Sequence, residues 1–336
     1  MRTLSRGMLL DSFERALVDR AAAWPQFRSL GDIGRAQLAE VCRLQGIDFA
    51  TALLYDRIRS SARHGPFIRR LESSPDPRSG GPARPDLVVG VVPGAFYLEN
   101  PITGADGGFV REAASQLGCP SEVVPLRSFG SVPDNARAVC AWLLQRPATE
   151  SIVLVSLSKG SAEVKLALRR PEAPAAFRRV VLWLNVSGIL LGSPAVRWLL
   201  RHRMRFYLVS LLLRLRGHRP DVIRELDYGP GTLLDDGLRV PDWLTVIHVA
   251  GFPLERHLSG RLARRGFRRL APLGPNDGAG IVLADLCRLP GLIYPVWGAD
   301  HYLRPEWDIA GLFARLVAYR DLAGIRHEAS VAFARR

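Results

Sequence analysis

One stretch of the chain restricts its fold more than any other. Ile152-Val153-Leu154-Val155 is a β-branched apolar run that stops abruptly at Ser156-Leu157-Ser158-Lys159-Gly160. Ala162, Val164, Leu166, Ala167 and Leu168 then recur in a helical pattern. A strand, a sharp turn and a helix in that order place a serine at the apex of a strained turn. Its hydroxyl is lifted out of the sheet beside a helix N-terminus, where it is positioned to attack a carbonyl.

The flanking sequence repeats the alternation. Leu87-Val88-Val89-Gly90-Val91-Val92 is wholly apolar, as expected of a strand buried on both faces, and Pro93-Gly94-Ala95-Phe96 breaks it. A helix is expected over Asp106–Leu117, then a brief strand at Glu122–Pro125. Ser131 or Asp134 would cap a further helix through Leu144. Buried strands are expected at Arg179–Leu184, Trp243–Ala250 and Leu292–Trp297, and a last helix from about Pro305 to Leu322. Strands alternating with helices predict a mostly parallel sheet flanked by helices.

Two regions depart from this texture. Residues 1–72 are basic and helical in pattern, with Leu9, Phe13, Leu17 and Ala21 at helical spacing and further helices from Asp32 and after Asp48. Residues 73–85 are a Ser/Pro/Gly-rich linker. Residues 189–240 interrupt the alternation with Val196–Leu215, an apolar run carrying Arg201, Arg203 and Arg205. The expected division is an N-terminal helical extension (1–72), the linker, a core (86–188 and 241–336) and a helical cap (189–240).

The 336 residues, 48% of them hydrophobic, suffice for one large core. Cys42, Cys119, Cys140 and Cys287 lack CxxC spacing, which argues against a zinc site or a disulfide framework and fits a reducing compartment. The net charge of +14 comes from basic residues that are all arginine except Lys159 and Lys165. That skew reads as codon bias rather than a nucleic-acid footprint, which would cluster on one face. Asp11, Glu14 and Asp19 stand where a secretory leader needs apolar residues, and no uncharged run is long enough to span a membrane. A cytoplasmic protein is expected, with the basic cap available for contact at a membrane surface.

A hydroxyl at its ordinary pKa needs a base, and the base an orienting carboxylate. Asp277 lies in the turn Gly274-Pro275-Asn276-Asp277-Gly278, and His301 just beyond the strand Leu292–Trp297 in Gly298-Ala299-Asp300-His301-Tyr302. Asp285 competes with Asp277 but is expected on the solvated face of a helix over Ile281–Leu289. With these pieces the chain resembles an α/β-hydrolase of the lipase and esterase branch. The resemblance implies Ser158 as nucleophile, Asp277 as orienting acid and His301 as general base and acid. The family turn is Gly-x-Ser-x-Gly; here Ser156 replaces the first glycine, and Gly160 keeps the second. It also implies an oxyanion hole from the amides of Lys159 and Ala95, with Phe96 as the alternative to Ala95.

Other candidates read as structural. His248, inside an apolar strand, is expected to be a satisfied core residue; His64, His202, His218, His257 and His327 are expected to be solvated, as is the Lys159 ammonium. The expected activity is hydrolysis of a carboxylic ester with an apolar acyl group, without metal or organic cofactor. Thioester hydrolysis or acyl transfer by the same residues, a catalytically idle ligand- or partner-binding module, and a membrane-surface interaction protein are the alternatives.

Overall fold

The computed structural model describes residues 10–78, 84–100, 103–304 and 308–322. His327, Leu9, the expected helix start at Pro305, and parts of the expected extension (1–9), linker (79–83) and core (323–336) lie outside the described residues.

Six strands form one parallel sheet: β1 (Leu87–Val92), β2 (Ser121–Val123), β3 (Ser151–Leu157), β4 (Val180–Val186), β5 (Thr245–Phe252) and β6 (Leu292–Trp297). Their spatial order is β2-β1-β3-β4-β5-β6, and every neighbouring pair is parallel. β1 and β4 are buried at every position, which is why they read as unbroken apolar runs. The chain reverses direction of travel across the sheet once, between β2 and β3, so the carboxyl ends of β1 and β3 lie side by side. An open sheet builds its sites at such a point.

Helices cover the sheet. In chain order they are α1 (Ser12–Ala22), α2 (Arg35–Gln45), α3 (Ile47–Ser60), α4 (Gly65–Ser73), α5 (Gly108–Gln116), α6 (Val132–Leu144), α7 (Lys159–Ala167) and the short α8 (Ala173–Ala176). Then follow α9 (Pro194–Arg201), α10 (Arg203–Leu215), α11 (Asp221–Glu225), α12 (Arg261–Leu270) and α13 (Ile309–Leu322). α6 packs on α7, and α5 on α13, where Phe109 meets Phe313 edge to face. Helix α3 packs on β6, the edge strand, and the Tyr55 ring meets Phe252 edge to face and Trp297 at a tilt. The N-terminal helices therefore share one apolar core with the sheet and cover its open edge.

Several local expectations are corrected. Ser131 precedes α6 but does not cap it through its side chain; the Val132 N–H donates instead to Glu225 Oε2 at 2.6 Å. The run from Val196 to Leu215 is two helices that meet at His202. Residues 283–288 form a 3-10 turn rather than an α-helix, and Asp285 in it is buried, not solvated. It accepts from Arg35 and from the Tyr228 hydroxyl at 2.9 Å. No helix among the described residues is long and apolar enough to cross a membrane.

Candidate active site

The turn after β3 is as tight as its sequence suggests. Ser158 sits at φ 48° and ψ −111°, a conformation that costs a non-glycine residue about 1–3 kcal/mol. The surroundings hold it there. Its N–H donates to Val186 O at 3.0 Å, and its carbonyl accepts from Ile189 N at 3.0 Å. Gly160 is required by close approach: a Cβ there would lie 2.6 Å from both the Val92 and the Pro93 carbonyl oxygens. Ser156 does more than stay small. Its buried Oγ accepts the Trp183 Nε1–H at 2.8 Å and lies 2.8 Å from Ser161 Oγ.

His301 is delivered by a second turn. β6 ends at Trp297, Gly298 turns the chain at φ 77°, and Asp300 Oδ1 accepts the N–H groups of Tyr302 and Arg304. The loop backbone crosses β5 closely enough that a Cβ on Gly251 would lie 2.3 Å from Ala299 O. Asp300 thus shapes the turn that holds its neighbour, although its side chain does not bond the imidazole. Asp277 is fully buried, and its Oδ1 accepts three backbone N–H groups, from Ala279, Gly280 and Ile281, at 3.1, 2.9 and 3.1 Å.

The structure brings Ser158, His301 and Asp277 together across 143 residues of sequence. His301 Nε2 lies 2.9 Å from Ser158 Oγ, and His301 Nδ1 lies 2.5 Å from Asp277 Oδ2. An ionised carboxylate only accepts, so Nδ1 carries the proton and Nε2 is left to accept from the serine hydroxyl. Burial works against charge on both partners. For Asp277 it raises the pKa, but the His301 charge and hydrogen bond and the loop amides outweigh it and hold the carboxyl below its ordinary range. For His301 burial lowers the pKa, and the Asp277 charge and hydrogen bond outweigh it and lift the imidazole above its ordinary value. A base strengthened in this way beside a strained hydroxyl can accept its proton during attack on a carbonyl.

Ser158 and His301 open into a cavity of about 380 Å³ lined by Ala95, Phe109, Ile189, Val196, Leu199 and Leu303, among others. The volume suits a small ligand, and the lining is largely apolar. Ala95 and Phe96 border it, with Phe96 at φ 59°. The Phe96 N–H points at Ser128 O, 3.4 Å away. The Lys159 amide opens the first turn of α7, directly after Ser158.

The Lys159 side chain overturns its expectation of being solvated. It is 1% exposed and pairs with Glu163 one turn on, whose Oε1 also accepts from Asn135 Nδ2 at 2.7 Å. Burial pushes Glu163 above the usual carboxylate range despite the lysine. The i, i+4 spacing was the available signal for this pair. Lys165, equally buried, donates to Leu190 O, Leu234 O and Asp236 O at 2.6, 2.8 and 2.5 Å. It ties α7 to the segments at both ends of the insertion between β4 and β5. Two histidines expected in solvent are also engaged: His64 is buried with Nδ1 accepting from Ile293 N, and half-buried His257 pairs with Glu14. His218 is half-buried too, beside Glu99 and the rings of Phe96 and Phe129. His248 is a satisfied core residue, bonded to Asn185 Nδ2 at 2.7 Å and Pro290 O at 2.8 Å. Among the described residues no group of three or more His, Cys, Asp or Glu side chains is arranged to hold a metal.

Sheet order, elbow and histidine loop together are those of the α/β-hydrolase fold, built here without strands ahead of β1 among the described residues. Solved structures of similar fold include a metagenomic carboxyl esterase, 18% identical, covering 73% of this chain and 80% of that one at a TM-score of 0.49. The mature lipase of Bacillus licheniformis is 20% identical over 73% of this chain and 93% of that one, also at 0.49. Aspergillus fumigatus lipase B is 13% identical over 91% and 88% of the two chains at 0.37. No protein-family model matches the chain, and no curated protein is similar to it in sequence.

Proposed function

We propose that the protein is a serine hydrolase that cleaves carboxylic esters with an apolar acyl group. The observation that carries the reading is the continuous line of contacts from Asp277 through His301 to the Oγ of a strained Ser158, opening into an apolar cavity. Ser158 Oγ attacks the ester carbonyl as its proton passes to His301 Nε2. The carbonyl π electrons move to oxygen, and the amides of Ala95 and Lys159 receive that oxyanion. Each such donor lowers the barrier by about 3 kcal/mol. The intermediate collapses, the C–O bond to the leaving alcohol breaks, and His301 returns its proton to that oxygen. Water, deprotonated by the same nitrogen, then attacks the acyl carbon; the bond to Ser158 Oγ breaks, His301 returns the proton to that oxygen, and the acid is released. The residues named supply every proton transfer, so the reading calls for no cofactor.

The acyl chain is assigned to the side of Val196 and Leu199, which line the cavity from α9. α9 to α11 form a cap in this reading. They share a small apolar cluster with Ala95, Phe96 and Phe129, so cap position and oxyanion donor are mechanically linked. The test is a series of p-nitrophenyl esters of rising chain length. The expected result is kcat/KM that rises with acyl length until the cavity is filled and falls by at least about 10³-fold in Ser158→Ala. Equal hydrolysis by wild type and Ser158→Ala would overturn the reading.

A further inference from the structure

A second cavity is larger than the one at Ser158. A cleft of about 530 Å³ lies between the N-terminal helices and the turn before β6. His64, which lines it, bonds Ile293 at the start of β6. The cleft therefore sits at the amino edge of the sheet, opposite the edge that carries Ser158. Its lining includes Arg28, Arg35, Arg57, Arg63 and Arg288, and no aspartate or glutamate.

These five arginines are not equivalent. Arg57 is spent on the Phe27 and Trp24 carbonyls and on Asp56, and Arg35 is spent on Asp285. Both are structural. Arg28 reaches only the Pro25 carbonyl, at 3.4 Å, while Arg63 and Arg288 have no hydrogen bond or ion pair among the described residues. Their charge is felt inside the protein: Arg63 adds to burial in lowering the pKa of His64, and Arg288 partly offsets the rise that burial and Asp285 impose on the Tyr228 hydroxyl. His64 itself is buried with Nδ1 accepting a backbone N–H, so its proton sits on Nε2 and the ring adds a neutral donor to the cleft. A concave wall with two or three uncompensated guanidinium groups and a neutral imidazole focuses positive potential on its interior.

We infer that this cleft binds the phosphate group of a soluble small molecule, held by Arg63 and Arg288 with Arg28 and His64 at its sides. A doubly charged phosphate matches two guanidinium forks better than a single carboxylate does. The volume leaves room for the rest of a metabolite-sized molecule. The inference is independent of the hydrolase reading, because no residue of the cleft belongs to the cavity at Ser158.

The test is isothermal titration of the full chain with inorganic pyrophosphate at 150 mM salt. Saturable binding of one equivalent is expected, weakened at least tenfold in Arg63→Gln/Arg288→Gln and unchanged in Ser158→Ala. Arg15→Gln/Arg178→Gln, two exposed arginines outside the cleft, provides the matched loss of charge and is expected to bind like wild type. Non-saturable uptake, or equal weakening by the two double variants, would reduce the effect to diffuse charge and overturn the inference. Far-ultraviolet circular dichroism and the melting temperature of each variant separate loss of a site from loss of fold.

Discussion

Ser158 keeps its φ of 48° because its amide and carbonyl are bonded to the ends of neighbouring elements, and because Gly160 lets α7 approach the end of β1. Gly160→Ala would drive a Cβ to 2.6 Å from two carbonyl oxygens, and is expected to cost about 3 kcal/mol, measured as a drop in melting temperature of several degrees. Ser156 yields a less obvious expectation. Restoring the usual glycine, Ser156→Gly, removes the acceptor of the buried Trp183 Nε1–H and is expected to destabilise by about 1–3 kcal/mol in urea unfolding. A stability equal to or above that of wild type would show that the serine merely fills space. The pH dependence follows from His301. It acts as a base only when neutral, and its pKa is raised above the ordinary 6.5 by Asp277. Activity should therefore fall as pH drops through a value above 6.5 in the kcat/KM profile. Asp277→Asn removes the raising charge, so the limb should move to lower pH while kcat falls by about 10³- to 10⁴-fold. Ser158, Asp277 and His301 were legible because each lies in a short signature: a strand-to-helix serine, an Asn-Asp-Gly turn, and a histidine just past a strand. Asp285 was misread because its partner, Arg35, stands 250 residues away, where neither periodicity nor spacing reaches.

At the scale of elements, the sheet could be read in advance almost strand for strand, since burial on both faces leaves an apolar run with no competing period. β1 and β6 begin and end where the sequence places them. The insertion could not be read so well. An apolar run broken by a basic block has one helical period on paper, but His202 at φ −104° and ψ 80° divides it into α9 and α10. α9, on the N-terminal side of that break, lines the Ser158 cavity with Val196 and Leu199. Lys165 then fastens the insertion to α7 through three carbonyls. Lys165→Met would leave those acceptors unpaired and is expected to cost about 2 kcal/mol. It should also raise KM for long-chain esters more than for acetate if the insertion positions the acyl chain. An unchanged chain-length profile would separate the insertion from substrate selection.

At the scale of the whole molecule, the charge of +14 is distributed unevenly. Between Pro194 and Pro220 lie seven arginines and no acidic residue. On α10 the same stretch exposes Met204, Tyr207, Leu208, Leu211, Leu212 and Leu215, with Leu215 75% exposed. An apolar stripe rimmed by cations is the pattern of a helix that lies on an anionic bilayer, and in our reading it sets the cap against a lipid surface. Vesicles containing phosphatidylglycerol should float the protein at low salt, and Leu208→Asp/Leu212→Asp should abolish flotation while leaving hydrolysis of short soluble esters intact. Flotation unaffected by that variant would remove the stripe from the account. The central claim, however, concerns one oxygen atom. The most direct measurement is intact-protein and peptide mass spectrometry after treatment with an active-site fluorophosphonate. One adduct per chain, on Ser158, absent from Ser158→Ala and much slower to form in His301→Ala, is the predicted result; no adduct, or an adduct that persists in Ser158→Ala, would contradict it.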